Sequence, residues 1–373
     1  MNRKRILQVN IDNDGGNGAF TLVRYIYTYL KKDYVFDYFT MGKFIEDAVF
    51  NDIVQDGGKC FSADLRDNKL IGHLKLPFVF YRVLTENHYD VVHIHSEVAY
   101  KHFLYAIAAK YAGVKKIIIH SHSSDIDGSN KGLKFLLHKV LRAKVNKYGD
   151  YFLACSEPAA KWMFNSKTLQ SSKYSILHNG VDPSKYCYSE TVRNYVRNSF
   201  NISDKIVLGH VGALKMVKNQ GRLLEILATL NSDKYVLMLI GDGEDRNLLE
   251  EKAKKLNIEC RVLVLGSRTD VSELLQAIDV FVFPSFFEGI PMALIEAQAI
   301  GIPIIASDRI NKDVKINDNM IFISLDANDT RWIQEINRIK DKHLKQEGAD
   351  RVRNSEYNIE KSAKVLGLIY DES

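Results

Sequence analysis

Short apolar runs alternate with stretches of helix length along the whole 373-residue chain. Such runs, rich in β-branched and aromatic residues, predict buried parallel strands, and the stretches between them predict crossover helices. The first series of predicted strands covers 6–9, 35–39, 91–94, 117–120, 152–155 and 175–177. The second series covers 206–210, 236–240, 262–265, 280–283, 304–306 and 321–323. The pattern predicts the α/β class, with two doubly wound, Rossmann-like domains.

A turn-forming pair, Asp182-Pro183, follows the first series of strands and marks the expected domain boundary. Two domains are expected, 1–183 and 184–356, because the chain is longer than one core usually supports. The last segment, 357–373, is predicted to be mostly helical. Ligands of open α/β sheets bind outside the carboxyl ends of the strands, so the cleft between two facing domains is the expected site.

Composition excludes several classes of protein. Hydrophobic residues make up 46% and charged residues 26%, which is typical of an ordered globular chain, and a net charge of +5 is too small to indicate nucleic acid binding. The four cysteines lack zinc spacing and are predicted to be reduced thiols. Neither a signal peptide nor an apolar stretch of about 18 residues is present in the sequence, so we expect a cytoplasmic protein.

The segment 280–307 carries the clearest candidate site. A predicted strand is followed by a loop with Glu288, and Pro291 suits the first turn of the next helix because it lacks an N–H group. Free N–H groups from Gly289 onward would favour an anion such as phosphate. Glu296, in the second turn, would accept hydrogen bonds from hydroxyl groups. Donors for phosphate beside carboxylates for hydroxyls suit a sugar nucleotide.

Glu288 and Glu296, separated by seven residues in the context Glu-Gly-Ile-Pro-Met-Ala-Leu-Ile-Glu-Ala, resemble the motif of the retaining glycosyltransferases of family 4. Four other segments resemble further motifs of that family in the same order and extend over nearly the whole chain. They are the glycine loop Gly15-Gly16, the interdomain segment 179–182, the phosphate loop 212–219 and the turn Gly241-Asp242-Gly243-Glu244. The resemblance implies a GT-B fold, in which two Rossmann-like domains face a central cleft. It also implies the donor nucleotide on the second domain, the acceptor mainly on the first, and a last helix that crosses back to the first.

The resemblance implies three catalytic side chains. Glu288 would lie near the anomeric carbon, and Lys218 would stabilise the negative charge that grows on the diphosphate as the glycosidic bond breaks. His122 aligns with a histidine that contacts the donor sugar or the acceptor, and Glu296 would hold the ribose. The alternatives are a solvated lysine, a glutamate on a helix face and a satisfied loop histidine.

The implied donor-binding set is larger than the catalytic set. It comprises Gly16, Lys215, Lys218, Arg268, Glu288, Gly289, Ile290, Pro291 and Glu296. Arg268 lies where the family cradles the base, although a solvated loop arginine is nearly as good an interpretation. The family usually has arginine directly after the glycine of the phosphate loop, where this chain has Ala213. Either Lys215 takes over that role, or the chain binds its donor more weakly.

Two Asp-x-Asp sequences, at 12–14 and 125–127, invite a Mg²⁺ or Mn²⁺ site. We expect no metal and no cofactor, because Lys218 and a helix N-terminus already supply positive charge. A separate segment, 131–147, contains six Lys or Arg residues and no acid, with apolar residues at helical spacing. Such a helix could rest on anionic lipid through Lys134, Lys139 and Arg142. The alternative is a core-packed helix with a solvated basic face.

The sequence as a whole predicts a retaining, metal-independent hexosyl- or N-acetylhexosaminyl-transferase. Its partners would be a nucleotide sugar, expected to be a UDP-sugar, and a hydroxyl of a growing, lipid-linked glycan, with no nucleic acid. The segments 155–164 and 296–299 resemble the bacterial capsule and exopolysaccharide branch, which implies work at the inner face of the cell membrane. Two alternatives stay open: a sugar-nucleotide 2-epimerase of the same fold, and a non-catalytic sugar-nucleotide-binding subunit.

Overall fold

The computed structural model describes residues 3–11, 18–45, 47–65, 69–123 and 131–372, which form two compact units. The first unit is formed by Met1–Asn179 together with Ile359–Ser373, and the second by Gly180–Asn358. The chain therefore passes from the first unit to the second at Asn179 and returns at Asn358. The sequence placed these two boundaries at 183 and 356.

Strands and helices alternate through both units. The strands are β1 (Lys4–Val9), β2 (Tyr34–Thr40), β3 (Cys60–Ser62), β4 (Val91–Ser96), β5 (Lys116–Ser121), β6 (Tyr151–Ala154), β7 (Tyr174–Ile176), β8 (Ile206–Val211), β9 (Tyr235–Ile240), β10 (Val262–Val264), β11 (Val280–Phe283), β12 (Ile304–Ser307) and β13 (Met320–Ile323). The helices are α1 (Gly18–Leu30), α2 (Ala48–Gln55), α3 (Lys69–Asn87), α4 (Ala99–Tyr111), α5 (Lys131–Tyr148), α6 (Glu157–Met163), α7 (Ser166–Leu169), α8 (Glu190–Ser199), α9 (Gln220–Leu230), α10 (Arg246–Lys255), α11 (Val271–Gln276), α12 (Met292–Ile300), α13 (Asp329–Ile339), α14 (Gln346–Asn354) and α15 (Ile359–Asp371).

The sheet of the first unit is parallel, with strand order β3-β2-β1-β4-β5-β6-β7. Successive residues of a strand point to opposite faces, so Ile6 packs into the core cluster beneath α1 and α15, whereas Leu7 packs into the cluster beneath α3, α4 and α5. The order reverses between β1 and β4. Tyr370 of α15 is fully buried, so the last helix belongs to this core.

The sheet of the second unit is also parallel, with strand order β10-β9-β8-β11-β12-β13. Val280 and Val282 pack into one core cluster, and Phe281 and Phe283 into the other. Strands covered on both faces are apolar at every position, which explains the continuous apolar runs in the sequence. The order reverses between β8 and β11, and this switch point is where doubly wound sheets bind ligands. The predicted α/β class with two Rossmann-like domains is confirmed.

Every strand of the two predicted series is present, with ends shifted by one or two residues. The sequence analysis missed β3, Cys60–Ser62, which lies at the edge of the first sheet and pairs only with β2 among the described strands. Its residues are half-buried or exposed, so it lacks the apolar run that identifies the other strands. Within the described residues, the helices are too short or too polar for any of them to cross a membrane.

Candidate active site

The loop after β8 carries Lys218 at the switch point of the second sheet. A short turn of 3-10 helix ends at Lys218, and Asn219 then adopts the left-handed conformation, with φ 55° and ψ 37°, before α9 begins. Asparagine tolerates this conformation better than most residues. The side-chain amide of Gln220 donates to the carbonyl of Ala213 across 2.9 Å. The loop is therefore closed on itself and holds Lys218 near the end of β8.

The glycine turn 241–244, which follows β9, packs against the phosphate loop 212–219. A Cβ atom on Gly241 would lie 2.1 Å from the carbonyl oxygen of Gly212, and one on Gly243 would lie 2.4 Å from that of Leu214. The N–H of Leu214 also donates to the carbonyl of Asp242 across 3.0 Å. Only glycine allows the two backbones to approach so closely. The predicted Gly-x-Gly-Glu turn thus shapes the phosphate loop.

The loop after β11 meets the loop after β8, because the two strands are neighbours in the sheet. The N–H of Phe286 donates to the carbonyl of Val217 across 2.9 Å. The side-chain amide of Asn219 donates to the carbonyl of Pro284 across 3.1 Å. These bonds hold together two loops that are far apart in the sequence.

Lys218 and Glu288 form an ion pair where the two loops meet. Lys218 Nζ lies 2.7 Å from Oε1 and 2.8 Å from Oε2 of Glu288, and 5.5 Å from the ring centre of Phe283. The side chains are only 20% and 11% exposed, so the attraction is screened less than at the surface. The two predicted catalytic residues of this unit are therefore in direct contact. An incoming diphosphate would compete with the carboxylate for the ammonium group, and Glu288 would then be free to accept hydrogen bonds from hydroxyls.

Helix α12 begins at Met292, directly after the Glu288 loop. Pro291 occupies the N-cap position, with ψ 96°, and not the first turn of the helix as the sequence analysis expected. Pro291 is buried, Ile290 is half-buried and Gly289 is exposed. The N-terminus of a helix carries partial positive charge, so an anion near this loop is favoured.

Glu296 lies in the second turn of α12, as predicted. Burial raises the pKa of its carboxyl group, and a hydrogen bond with Tyr186 partly opposes this rise. Glu296 is half-buried, and a carboxylate that is partly removed from water needs such a polar partner. Its role as the ribose ligand stays a prediction.

Among the described residues, no contact joins Lys215 or Arg268 to the ion pair of Lys218 and Glu288. Lys215 is exposed, one residue before the 3-10 turn. Arg268 is also exposed, and its guanidinium forms a two-bond pair with Asp270, which raises its pKa. The solvated-loop interpretation of Arg268 agrees with this local pairing.

His122 lies in the first unit, one residue beyond β5, and its backbone N–H donates to the carbonyl of Ser96 across 3.3 Å. Burial lowers the pKa of its imidazole to about 4, so the ring is neutral at pH 7, although Glu97 opposes this shift.

Gly16 and both Asp-x-Asp sequences lie outside the described residues. Among the residues that are described, His93, His95 and His120 are close enough to surround a cation, but hydrogen bonds already join their rings to other side chains or to one another.

Sequence reasoning missed the side chains that fix the loops. Asn219, Gln220 and Tyr186 belong to none of the predicted sets, and neither does His210, whose ring bonds the carbonyl of Val282 across 3.0 Å. An asparagine directly before a predicted helix was the one available signal, because asparagine is common at positive φ.

Two family models match this chain and together extend over most of it. Residues 192–357 match the family described as Glycosyl transferases group 1, and residues 17–185 match Glycosyltransferase Family 4. EpsF of Bacillus subtilis (strain 168), a glycosyltransferase by its name, is 30% identical over 348 residues, which cover 90% of this chain and 88% of EpsF. The chain belongs to the family 4 glycosyltransferases. A second relative of this glycosyltransferase is an Escherichia coli UDP-Gal:alpha-D-GlcNAc-diphosphoundecaprenol alpha-1,3-galactosyltransferase, 27% identical over 311 residues, which cover 79% of this chain and 78% of the relative.

Solved structures show the fold of this glycosyltransferase. Anabaena Alr3699/HepE in complex with UDP superimposes with a TM-score of 0.77 at 17% identity, covering 98% of this chain and 99% of HepE. WaaG, a glycosyltransferase of lipopolysaccharide biosynthesis, has a TM-score of 0.68 at 16% identity, covering 96% of this chain and 99% of WaaG. The predicted GT-B fold is confirmed.

Proposed function

We propose that this glycosyltransferase moves a hexosyl or N-acetylhexosaminyl group from a nucleotide sugar to a hydroxyl of a growing polysaccharide, with retention at the anomeric carbon. The contact between Lys218 and Glu288 carries this proposal. A cation that would bind a diphosphate then lies beside a carboxylate that would bind sugar hydroxyls, at the switch point of a doubly wound sheet, which supports the proposal.

The proposed donor is a UDP-sugar, and the proposed acceptor is a lipid-linked glycan. HepE has been crystallised with UDP and with UDP-glucose. The name of the E. coli relative gives a UDP-galactose donor and a diphosphoundecaprenol-linked acceptor. A Campylobacter jejuni relative, 24% identical over 248 residues, is also named for a diphosphoundecaprenol-linked acceptor. A role in capsule or exopolysaccharide biosynthesis is in keeping with these acceptors.

In the proposed reaction, the bond between the anomeric carbon and the diphosphate oxygen breaks as the acceptor oxygen bonds to the same face of that carbon. The leaving phosphate takes the acceptor proton. Lys218 would stabilise the departing diphosphate, and preorganised charge of this kind is usually the largest catalytic term. Glu288 would hold the sugar hydroxyls, Glu296 the ribose, and His122 a sugar or acceptor group. The loop of Gly289, Ile290 and Pro291 would lie against the sugar phosphate.

Metal independence belongs to the same proposal. The positive charge that a diphosphate needs would come here from Lys218 and the start of α12. Activity should therefore survive excess EDTA. Loss of activity with EDTA and rescue by Mn²⁺ would overturn this part, and Asp12 and Asp14 would then be the first ligands to test.

We also propose that the first unit rests on an anionic membrane surface through α3 and α5. Helix α5 is anchored by His138 and Val145, whereas Leu136 is 58% and Val140 is 56% exposed. Phe78 on α3 is 77% exposed. Exposed apolar side chains favour an interface with anionic headgroups on α5, which has no acidic residue, and Phe78 would add apolar contact from α3.

The cations of this surface differ from those expected. Arg142 points inward and donates to the carbonyls of Lys161 and Phe164, so it cannot attract lipid as the sequence analysis proposed. Lys139, Lys144 and Lys147 are exposed on α5 and take that role. Helix α5 also packs on the core through His138 and Val145, so a core-packed helix with a solvated basic face remains the alternative.

A panel of UDP-sugars tests the central proposal. The purified protein is incubated with each sugar nucleotide, with and without a polyprenyl-diphosphate-linked sugar, and UDP and the glycan product are measured. Transfer with an α-linked product from an α-linked donor supports a retaining transferase, and NMR coupling constants of the anomeric proton report the configuration. An isomerised donor would establish the 2-epimerase instead, and tight binding without turnover would establish a sensor. Lys218→Met should abolish whichever turnover is observed.

A further inference from the structure

Four histidines form a ladder on one face of the first sheet. His93 and His95 alternate along β4, His120 lies on β5, and His122 follows its end. Alternate residues of a strand share a face, and His95 is in register with His120, so the four rings stack at neighbouring positions. Centroid distances are 4.1 Å between His93 and His95 and 4.1 Å between His120 and His122. The ladder leads from the core to the carboxyl end of the sheet.

Gln8 of β1 and Tyr370 of α15 anchor the inner end of the ladder. Gln8 Oε1 lies 2.7 Å from His95 Nε2, and Gln8 Nε2 donates to the Tyr370 hydroxyl across 2.9 Å. The same hydroxyl lies 2.9 Å from His93 Nδ1. Gln8, Tyr370, His93 and His95 are all fully buried, so these groups depend on each other for hydrogen bonds.

These contacts determine the proton positions on His95 and His122. In the structure the Gln8 amide turns its oxygen towards His95 Nε2, and an amide oxygen only accepts hydrogen bonds, so this amide orientation assigns the His95 proton to Nε2. A neutral imidazole has one donor and one acceptor, which makes His95 Nδ1 an acceptor. His122 Nε2 lies 2.8 Å from that atom and must donate to it. The proton of His122 is therefore on Nε2, and its Nδ1 carries a lone pair.

The proton positions on His93 and His120 follow from the same amide group of Gln8. Since the Tyr370 oxygen accepts from Gln8, its proton goes to His93 Nδ1, and His93 Nε2 then donates to His120 Nδ1 across 3.2 Å. Rotating the side-chain amide of Gln8 by 180° would exchange its oxygen and nitrogen. Donor and acceptor would then be exchanged in every hydrogen bond from Gln8 to His122 and from Gln8 to His120. One amide orientation thus sets the tautomers of all four histidines.

We propose that Gln8 and Tyr370 are positioning residues that hold His122 as its Nε2–H tautomer, so that His122 Nδ1 accepts a hydrogen bond from a sugar hydroxyl. This inference rests on the proposed function for the identity of the ligand. His122 Nδ1 is closed to solvent and has no hydrogen-bond partner among the described residues, so a ligand hydroxyl must displace the atoms that cover it before it can bond there. A lone pair at that position pairs with a group that carries a proton, and it repels an acceptor-only group such as a carboxylate or a phosphate oxygen. The ladder would therefore select a neutral, hydroxyl-bearing part of the ligand.

Nitrogen-15 NMR of histidine-labelled protein tests the tautomer without any turnover. The spectra of wild type, Gln8→Met and Tyr370→Phe are compared, with His122 assigned from a His122→Gln sample. Tyr34→Phe is the matched control, because Tyr34 packs edge-to-face on Tyr370 but its hydroxyl donates to Gly367. We expect the Nε2–H tautomer of His122 in wild type and control, and a mixture of tautomers in Gln8→Met. Tyr370→Phe, which frees the amide to turn over, should also give a mixture if Gln8→Met does not fold.

A proton on His122 Nδ1 in the wild type, or an unchanged tautomer in both ladder variants, would overturn the proposal. Binding gives a second readout. Gln8→Met should weaken UDP-sugar binding roughly tenfold, about the effect of one lost hydrogen bond, and leave UDP affinity unchanged. Equal weakening of both ligands would indicate structural damage and refute the positioning role. If wild type has the expected tautomer but binds no sugar nucleotide, the proposed function fails and the tautomer assignment stands.

Discussion

At the residue scale, Lys218 and Glu288 neutralise each other in the unliganded second unit. Their contact means that each charge is partly satisfied by the other. If the proposed donor binds here, its diphosphate would compete with Glu288 for the ammonium group, because it carries more negative charge than one carboxylate. Binding and catalysis should therefore respond in opposite ways to loss of Glu288.

Glu288→Gln should reduce transfer by roughly 10² or more, because the reacting sugar loses a preorganised charge. The same change should leave UDP affinity equal or higher, since the ammonium group of Lys218 no longer has a competing carboxylate. Isothermal titration with UDP and initial-rate measurements check the two effects separately.

Lys218→Met is the complementary variant and should weaken UDP binding. Lys234→Met is the charge-matched control, because Lys234 is exposed at the opposite, amino-terminal edge of the second sheet. Weaker UDP binding by Glu288→Gln would contradict the competition between carboxylate and diphosphate.

At the element scale, glycine turns decide how closely the loops of the second unit approach. Gly241→Ala would place a Cβ atom 2.1 Å from the carbonyl oxygen of Gly212, so the backbone must move. We expect a loss of about 1–3 kcal/mol in the unfolding free energy of the second unit, the usual cost of overpacking. Urea unfolding followed by the fluorescence of Trp332, in a Trp162→Phe background, measures this change.

Gly132→Ala is the control for that experiment, read by Trp162 of the first unit in a Trp332→Phe background. A Cβ atom at Gly132 in α5 would have nothing within 4 Å. Alanine is the better helix former, so the first unit should be unchanged or gain up to about 1 kcal/mol. A Gly241→Ala protein as stable as its parent would show that the two turns do not constrain each other.

Binding of the exposed faces of α3 and α5 to a membrane can be tested by substitution. The double variant Leu136→Asp with Val140→Asp should lose binding to vesicles that contain anionic lipid, because it places charge in the apolar contact. Wild-type binding should weaken as salt rises, since each exposed lysine contributes about 1 kcal/mol near the membrane. Vesicle sedimentation measures both.

Leu248→Asp is the matched control for the vesicle experiment. Leu248 is 63% exposed on α10 of the second unit, so the same substitution is made away from the proposed surface. Equal binding of wild type to neutral and anionic vesicles, or no binding, would reject the membrane surface.

At the scale of the whole molecule, the buried histidines make the two units unequally sensitive to acid. Burial lowers the pKa of His93, His95 and His120, and it lowers that of His102 to about 3 and that of His122 to about 4. All five belong to the first unit. In the second unit, the pKa values of His210 and His343 are lowered to about 4.

In the unfolded chain, each of these histidines has a pKa near 6.5. Below that pH the unfolded state therefore binds more protons than the folded state. The resulting stability is complete above pH 6.5 and is lost as the pH falls towards 4, by up to about 1.4 kcal/mol per pH unit for each group. Glu296 acts in the opposite direction in the second unit, because a raised carboxyl pKa makes acid favourable to the folded form. Acid should therefore destabilise the first unit more steeply.

The two tryptophans report the units separately, since Trp162 lies in the first and Trp332 in the second. Urea unfolding of the two single-tryptophan proteins between pH 6.5 and 5 should show the steeper loss of unfolding free energy at Trp162. A steeper loss at Trp332, or no loss in either unit, would contradict the assignment of the buried histidines.

Local patterns in the sequence were sufficient for the fold and for much of the candidate site. Twelve strands stood out as short apolar runs, most of them buried on both faces, whereas the half-exposed edge strand Cys60–Ser62 did not. Lys218, Glu288 and Glu296 were recognised because each belongs to a motif of only a few consecutive residues. The inward orientation of Arg142 was missed, because helical spacing alone does not say which carbonyls a neighbouring segment offers.

By itself, the sequence determined the α/β class, the two Rossmann-like domains, the family and the catalytic candidates, since each of these depends on local periodicity or short motifs. Only the tertiary structure decided that Lys218 pairs with Glu288, and that Gln8, Tyr370 and the histidine ladder determine the proton position on His122. Those contacts join residues separated by tens to hundreds of positions. They exist because parallel strands that are distant in sequence become neighbours in a sheet, and because the last helix packs onto the first unit.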